Sequence, residues 1–196
     1  MNFWRAFMLM WLAVSLAGCG INNIPTYDEQ VKAAWSQVQN QYQRRADLVP
    51  NLVNTVQGFA DQEREVLVEV TEARSKVGSI QMDESILNDP EKFQQFEQAQ
   101  SQLGSALQRL MVVVERYPDL KSNQNFLTLQ SQLEGTENRI SVARRDYIQA
   151  VQQYNTEIRT FPGRIWHSVL YSELEQRENF EATTENAEQA PSVNFE

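Results

Sequence analysis

From Val31 onward the chain sets its larger apolar side chains at alternating steps of four and three residues. The series reads Val31, Trp35, Val38, Tyr42, Arg45, Val49, Leu52, Val56, Phe59, Glu63, Val66, Val70, Ala73 and Val77, with Arg45 and Glu63 its two charged members. Such spacing keeps one stripe of a helix turned toward partner helices. A second series runs Phe93, Phe96, Gln100, Leu103, Leu107, Leu110, Val114 and Tyr117. The third is Phe126, Leu129, Leu133, Thr136, Ile140, Ala143, Tyr147, Ala150 and Tyr154. Three stripes in one chain must bury one another, so the fold class is all-α, an antiparallel up-and-down helical bundle.

Local signals place the ends of these helices. Thr26 followed by Glu29 reads as a capping box, in which each side chain satisfies an amide of the first turn. Asp89-Pro90 reads as an N-cap followed by a proline where no amide is needed. Gly78 is a natural stop for the first segment, and Pro118 ends the second after Tyr117. Asp119 or Ser122 caps the third, which runs to Phe161-Pro162. "GRIWHSVLYSELEQ" then predicts a short amphipathic helix over 163–178.

Pro50 leaves two readings of the first segment. A continuous helix from Thr26 to Gly78 would be roughly 75 Å long beside a second segment of about 40 Å, so half of it would lack partners. A turn near Ala46-Asp47, with Asp47 capping a new helix and Pro50 in its first turn, gives four helices of roughly 33, 42, 41 and 62 Å, lengths that suit an up-and-down bundle. The unbroken phase of the stripe favours a kink at Pro50; the lengths favour the break and the four-helix count.

The chain begins with one cation, Arg5, then the apolar run Phe7 to Ala17, then Gly18 and Cys19, the only cysteine. About a dozen apolar residues fall short of the roughly 20 that span a bilayer, and the order of charge, apolar core and small residues is that of a secretory signal. Leu16-Ala17-Gly18-Cys19 resembles a bacterial lipobox. The resemblance implies cleavage after Gly18, acylation of Cys19 and a tether over 19–25. In a host with two membranes, Gly20 in place of an aspartate points to the outer membrane, facing the periplasm.

Charge and chemistry narrow the function. The whole chain carries a net charge of −9, and removal of the leader takes only Arg5. A surface this acidic, with no basic stripe, repels nucleic-acid backbones. A di-metal carboxylate bundle needs Glu-x-x-His on two helices, but His167 is the only histidine. No glycine-rich phosphate loop and no nucleophile set stands out. The residues therefore predict no catalytic group, no metal site and no cofactor. Arg45 and Glu63, lying in an apolar stripe, are expected to pair across the core and fix register, with Glu134, Glu137, Arg144 and Arg145 as candidate partners. Tyr117 and Asp119 sit at a helix–helix corner open to a partner.

Two stretches carry a family resemblance. "RRADLVPNLVNTVQGFADQE" (44–63) and "ERYPDLKSNQNFLTLQSQLEGTENRISVARRDYIQAVQQYNTEIRTFPG" (115–163), with the terminal "SVNFE", resemble the LemA family. The resemblance implies a membrane-tethered helical bundle over 26–162 with no established catalytic activity. This chain departs from the commoner pattern in two places. It has a lipobox where many relatives carry a transmembrane helix, and Trp166-His167 where a small residue is usual.

The expected function is that of a non-enzymatic lipoprotein, an adaptor or scaffold for envelope proteins. The alternative is an accessory component of envelope stress or transport machinery that binds a small ligand or ion in the bundle core. Residues 179–196 form an acidic segment too poor in apolar side chains to order itself. Its Val193 and Phe195, at alternate positions, are suited to docking into a partner by strand addition.

Overall fold

A computed structural model of the chain describes residues 20–60, 62–80 and 83–180. Gly18, Cys19, Val193 and Phe195 lie outside the described residues. Among those described are six α-helices: α1 (Asn23–Gln57), α2 (Arg64–Ser79), α3 (Pro90–Val114), α4 (Pro118–Lys121), α5 (Gln124–Arg159) and α6 (Gly163–Leu170). A 3-10 turn, Glu84–Asn88, joins α2 to α3. The count is thus six rather than four; α1, α2, α3 and α5 build the bundle, and α4 and α6 are short pieces at its two ends.

Cross-helix bonds give the directions. Gln41 and Arg45 of α1 meet Arg139 and Glu137 of α5, while Asn23 meets Glu157, so these two helices run antiparallel over their whole length. Lys76 and Glu69 of α2 meet Gln102 and Arg109 of α3, again antiparallel. Rings on α1 and α3 meet in parallel order, Trp35 with Phe93 and Tyr42 with Phe96, across the diagonal. The topology is up, down, up, down.

The first segment does not turn at Ala46-Asp47, and it is not one helix from Thr26 to Gly78 either: it is continuous through Pro50 and breaks over 58–63. Helix α1 includes Pro50 and stops at Gly58, and α2 begins at Arg64. A proline inside a helix leaves the carbonyl four residues earlier without its amide donor. Here that carbonyl belongs to Ala46, and Arg74 Nε of α2 donates to it at 2.9 Å. Asp47 caps nothing; it accepts from Gln43 within the same helix. The apolar phase slips at the true turn: Ala60 and Leu67 enter the core, and Phe59 is left 45% exposed.

Other ends also moved. Thr26 lies inside α1 and its hydroxyl donates to the Asn22 carbonyl, so no capping box forms with Glu29, which pairs with Lys32 instead. Asn123, rather than Asp119 or Ser122, caps α5, its Oδ1 accepting from the amides of Asn125 and Phe126. Asp89 caps α3 as expected, with Pro90 in the first turn. Gly78 is passed by one residue, α2 ending at Ser79.

At 16 residues, α2 reaches only half the height of α1. Beside it lies a core of aliphatic side chains, including Val49, Leu52, Leu103, Leu107 and Leu110. Beyond its end the fourth corner is filled by Ile86 and Leu87 of the 3-10 turn and by a strap, residues 171–180, that follows α6. The core there is aromatic, with Trp35 touching Phe93, Phe96, Tyr147 and Phe180. Two expectations change accordingly. The amphipathic helix ends at Leu170, not residue 178, and the acidic segment set from residue 179 begins with Phe180 buried in the bundle.

Candidate functional site

Halfway along the bundle, where the aliphatic and aromatic cores meet, α1 turns Arg45 inward. The residue is only 4% exposed. A charge removed from water must be paired and hydrogen-bonded. Arg45 Nη1 lies 3.3 Å from both carboxylate oxygens of Glu137 on α5, and Nη2 donates to the backbone carbonyl of Gln100 at 3.0 Å and to its side-chain oxygen on α3. One guanidinium thereby ties three helices together. The Tyr42 ring lies under it at 5.0 Å. Burial pushes the Tyr42 phenol above its ordinary pKa, against the pull of Arg144 and Arg45.

A cleft of about 280 Å³ opens beside this arginine. Its wall includes Tyr42, Arg45, Gln100, Gly104, Glu137 and Arg144. Arg45 Nε and Gln100 Nε2 are buried in it without hydrogen-bond partners. Arg144 Nη2 stands 3.5 Å from Glu97, and its guanidinium covers the Phe180 ring at 4.2 Å. The cleft thus holds two cations, two carboxylates and two idle donors, a set suited to gripping a small polar molecule. Among the described residues no group of three or more metal-ligating side chains comes together.

The strap closes the bundle with a second ion pair, buried on both sides, which the sequence reading did not single out. Arg177 donates to Asp28 through Nε (3.1 Å) and Nη2, and to Asn88 through Nη1. Asn155 bonds both the amide and the carbonyl of Arg177 at 3.0 Å. The phenols of Tyr147 and Tyr154 donate to the carbonyls of Glu178 and Glu175. Burial raises the pKa of both tyrosines, Tyr154 to about 12 and Tyr147 further. His167 Nε2 donates to the Leu174 carbonyl at 2.7 Å, so its imidazole is part of the strap's anchorage.

Arg45 and Glu63, grouped by the sequence as register residues, do not meet. Glu63 stands at the α1–α2 turn, where it accepts from the Tyr117 hydroxyl at 3.0 Å and pairs with Arg116 at 3.2 Å. That hydrogen bond raises the Tyr117 pKa. Of the partners expected for Arg45, Glu137 is the one found. Tyr117 and Asp119 lie at the end of the bundle opposite Gly20, Tyr117 just before α4 and Asp119 exposed within it.

The LemA family model matches residues 34–195, a span that takes in Arg45, the bundle from the second third of α1 onward and the strap. The chain belongs to the LemA family. It is 26% identical over 140 residues to the protein LemA of Metamycoplasma hominis, an alignment covering 71% of this chain and 60% of that one. It is also 29% identical over 157 residues to the magnetosome proteins MamQ 1 and MamQ 2 of Paramagnetospirillum magneticum, covering 72% of this chain and 58% of each. The chain spans about three fifths of the length of these curated relatives. No helix among the described residues of this LemA protein is long and apolar enough to cross a membrane.

A signal for the missed pair was present. Stepping the first stripe back from Val31 by three and then four lands on Asp28 and Ile24. An acid at a core position calls for a buried cation, and Arg177 is the only one after Arg164.

Proposed function

We propose that this LemA protein is a membrane-associated, non-enzymatic lipoprotein of the bacterial envelope, a post that offers its far end to other envelope proteins. The observation that carries this reading is the placement of the two ends. The chain enters the bundle at Gly20, one residue after the lipobox cysteine, and the corner formed by Phe59, Glu63, Tyr117 and Asp119 lies at the opposite pole. At about 1.5 Å per residue, the 35 residues of α1 separate them by roughly 50 Å. Two or three acyl chains on Cys19 hold a soluble domain stably on a bilayer. The outer membrane, with the bundle in the periplasm, is the location in a host with two membranes, and Val193 and Phe195 at the end of the chain offer a second, strand-like contact.

Two variants test the reading. Cys19→Ser releases the protein from floated membranes and abolishes lipid labelling; full retention without label contradicts the anchor. A photo-cross-linking side chain at Asp119 captures discrete neighbours that the same group at exposed Gln94, near the start of α3, does not. Identical adducts from both positions, or none from Asp119, contradict the adaptor role.

The cleft beside Arg45 favours a second reading, an accessory component of stress or transport machinery that holds a small polar ligand or ion. Binding to the folded state alone at a hundred times Kd stabilises by about 2.7 kcal/mol. A screen of phosphate, carboxylates and divalent cations against the dialysed protein then raises Tm for at least one of them, and Arg45→Met removes the effect.

A further inference from the structure

The end of the bundle nearest Gly20 carries an apolar face that none of the described residues covers. Phe161, Ile165 and Val169 follow one another at steps of four, and Leu170 adjoins them; their exposures are 82%, 49%, 69% and 48%. Three large apolar side chains on one short helix, with Phe161 on the turn just before it, differ from the singly scattered exposed residues normal on a protein surface. The opposite side of α6 is spent on the fold. Trp166 packs against the aromatic core, His167 is bonded to the strap, and Gly163 lies so close over α5 that a β-carbon there would stand 2.2 Å from the Glu157 carbonyl oxygen. The apolar face therefore has a fixed direction, away from α5, the aromatic core and the strap.

The position of the tether says what that face meets. A β-carbon built on Gly20 would lie 3.8 Å from Pro162 Cγ, so the chain leaves the bundle beside the Phe161–Pro162 corner. In the sequence the lipobox cysteine, Cys19, immediately precedes Gly20. Exposed Arg159 and Arg164 flank the apolar residues, in a protein whose net charge is −9. A convex apolar helix with cations at its margin is the pattern of an element lying in the headgroup boundary of a bilayer.

We propose that α6 is an interfacial membrane helix: Phe161, Ile165, Val169 and Leu170 enter the surface of the same bilayer that receives the Cys19 acyl chains. This rests on the lipid-anchor reading and deepens it. Acyl chains alone leave the bundle free to swivel and lie down, whereas a second contact beside the first sets the α1–α5 axis upright and directs the Tyr117–Asp119 corner away from the membrane.

Spin-label accessibility tests the proposal on the full-length protein extracted from membranes and reconstituted into vesicles of phosphatidylethanolamine and phosphatidylglycerol. With Cys19 acylated, a cysteine placed at Ile165, Val169 or Val112 is the only free thiol. Val112 is exposed near the opposite end of the bundle. Labels at Ile165→Cys and Val169→Cys should collide severalfold more with oxygen and less with a water-soluble nickel chelate than the label at Val112→Cys. Equal ratios at the three sites, on protein that still floats with the vesicles, overturn the interfacial helix and leave the anchor standing. Dipolar broadening between Val169→Cys labels, with no oxygen preference, overturns it in favour of a second copy of the chain. Failure of the anchor reads out separately, as wild-type protein that does not float.

Discussion

Removing one ring from the strap should unfold the protein measurably earlier, although residue 180 lies in what composition marks as an acidic tail. Phe180 is 9% exposed, with its ring centroid 5.0 Å from that of Phe93, 5.4 Å from Tyr147 and 6.4 Å from Trp35, under the Arg144 guanidinium. Replacing a buried Phe by Ala costs about 3–5 kcal/mol through lost transfer energy and the cavity left behind. Its place near the end of the structured strap lets the chain relax, so the lower bound, about 3 kcal/mol, is the expected value for Phe180→Ala. For a domain of this size, each kcal/mol moves Tm by about 2–4 °C, which gives a fall of about 6–12 °C. Urea unfolding followed by tryptophan fluorescence and by circular dichroism measures it, and truncation after Asn179 should match the point mutant. A loss below about 0.5 kcal/mol with an unchanged m-value would refute the packing of the strap and return residue 180 to the tail.

Three further outcomes follow from the same geometry. Arg74→Ala orphans the Ala46 carbonyl and should cost about 1–3 kcal/mol, but much less on a Pro50→Ala background, where the helix's own amide returns; equal costs on both backgrounds would show the bond to be incidental. Arg177→Ala, leaving Asp28 buried and unpaired, should cost about 3–5 kcal/mol, while an apolar replacement of both partners costs far less; a double-mutant cycle with no coupling contradicts the pair. Folded-state pKa values raised by burial mean that the stability due to neutral Tyr147 and Tyr154 is complete below the unfolded pKa of 10 and is lost as pH rises through 10 toward about 12. Phenolate absorbance should therefore appear in two phases, and a single transition near pH 10 without unfolding contradicts their burial.

The helices and their buried faces were legible because a repeat of 3.5 residues writes the partner-facing stripe directly into the chain. Trp35, Leu103 and Tyr147 each fall on it and each is buried. Helix ends were less legible where their stabilising partner is remote. Nothing near Pro50 announces that Arg74, 24 residues on, supplies the missing donor, so the proline reads as a break and Gly58 passes unnoticed inside an unbroken phase. The strap was invisible for a different reason. An extended segment crosses the core once and has no period, and its hydrogen bonds run through backbone carbonyls that no side-chain pattern reports. Arg45 was legible as a polar element of the core because a charge in an apolar stripe has to be satisfied there; its link to Gln100 rests on the neighbouring helix's register, which only the assembled bundle fixes.

The height of the Asp119 corner above the bilayer tests the central claim most directly. On the lipidated, vesicle-bound protein, a donor dye at Asp119→Cys and acceptor dyes on lipid headgroups report that height by energy transfer. A post tethered beside α6 and standing on it places the donor roughly 50 Å from the surface, the length of a 35-residue helix. A donor within about half that helix length of the headgroups, as for a bundle lying flat, would contradict the account.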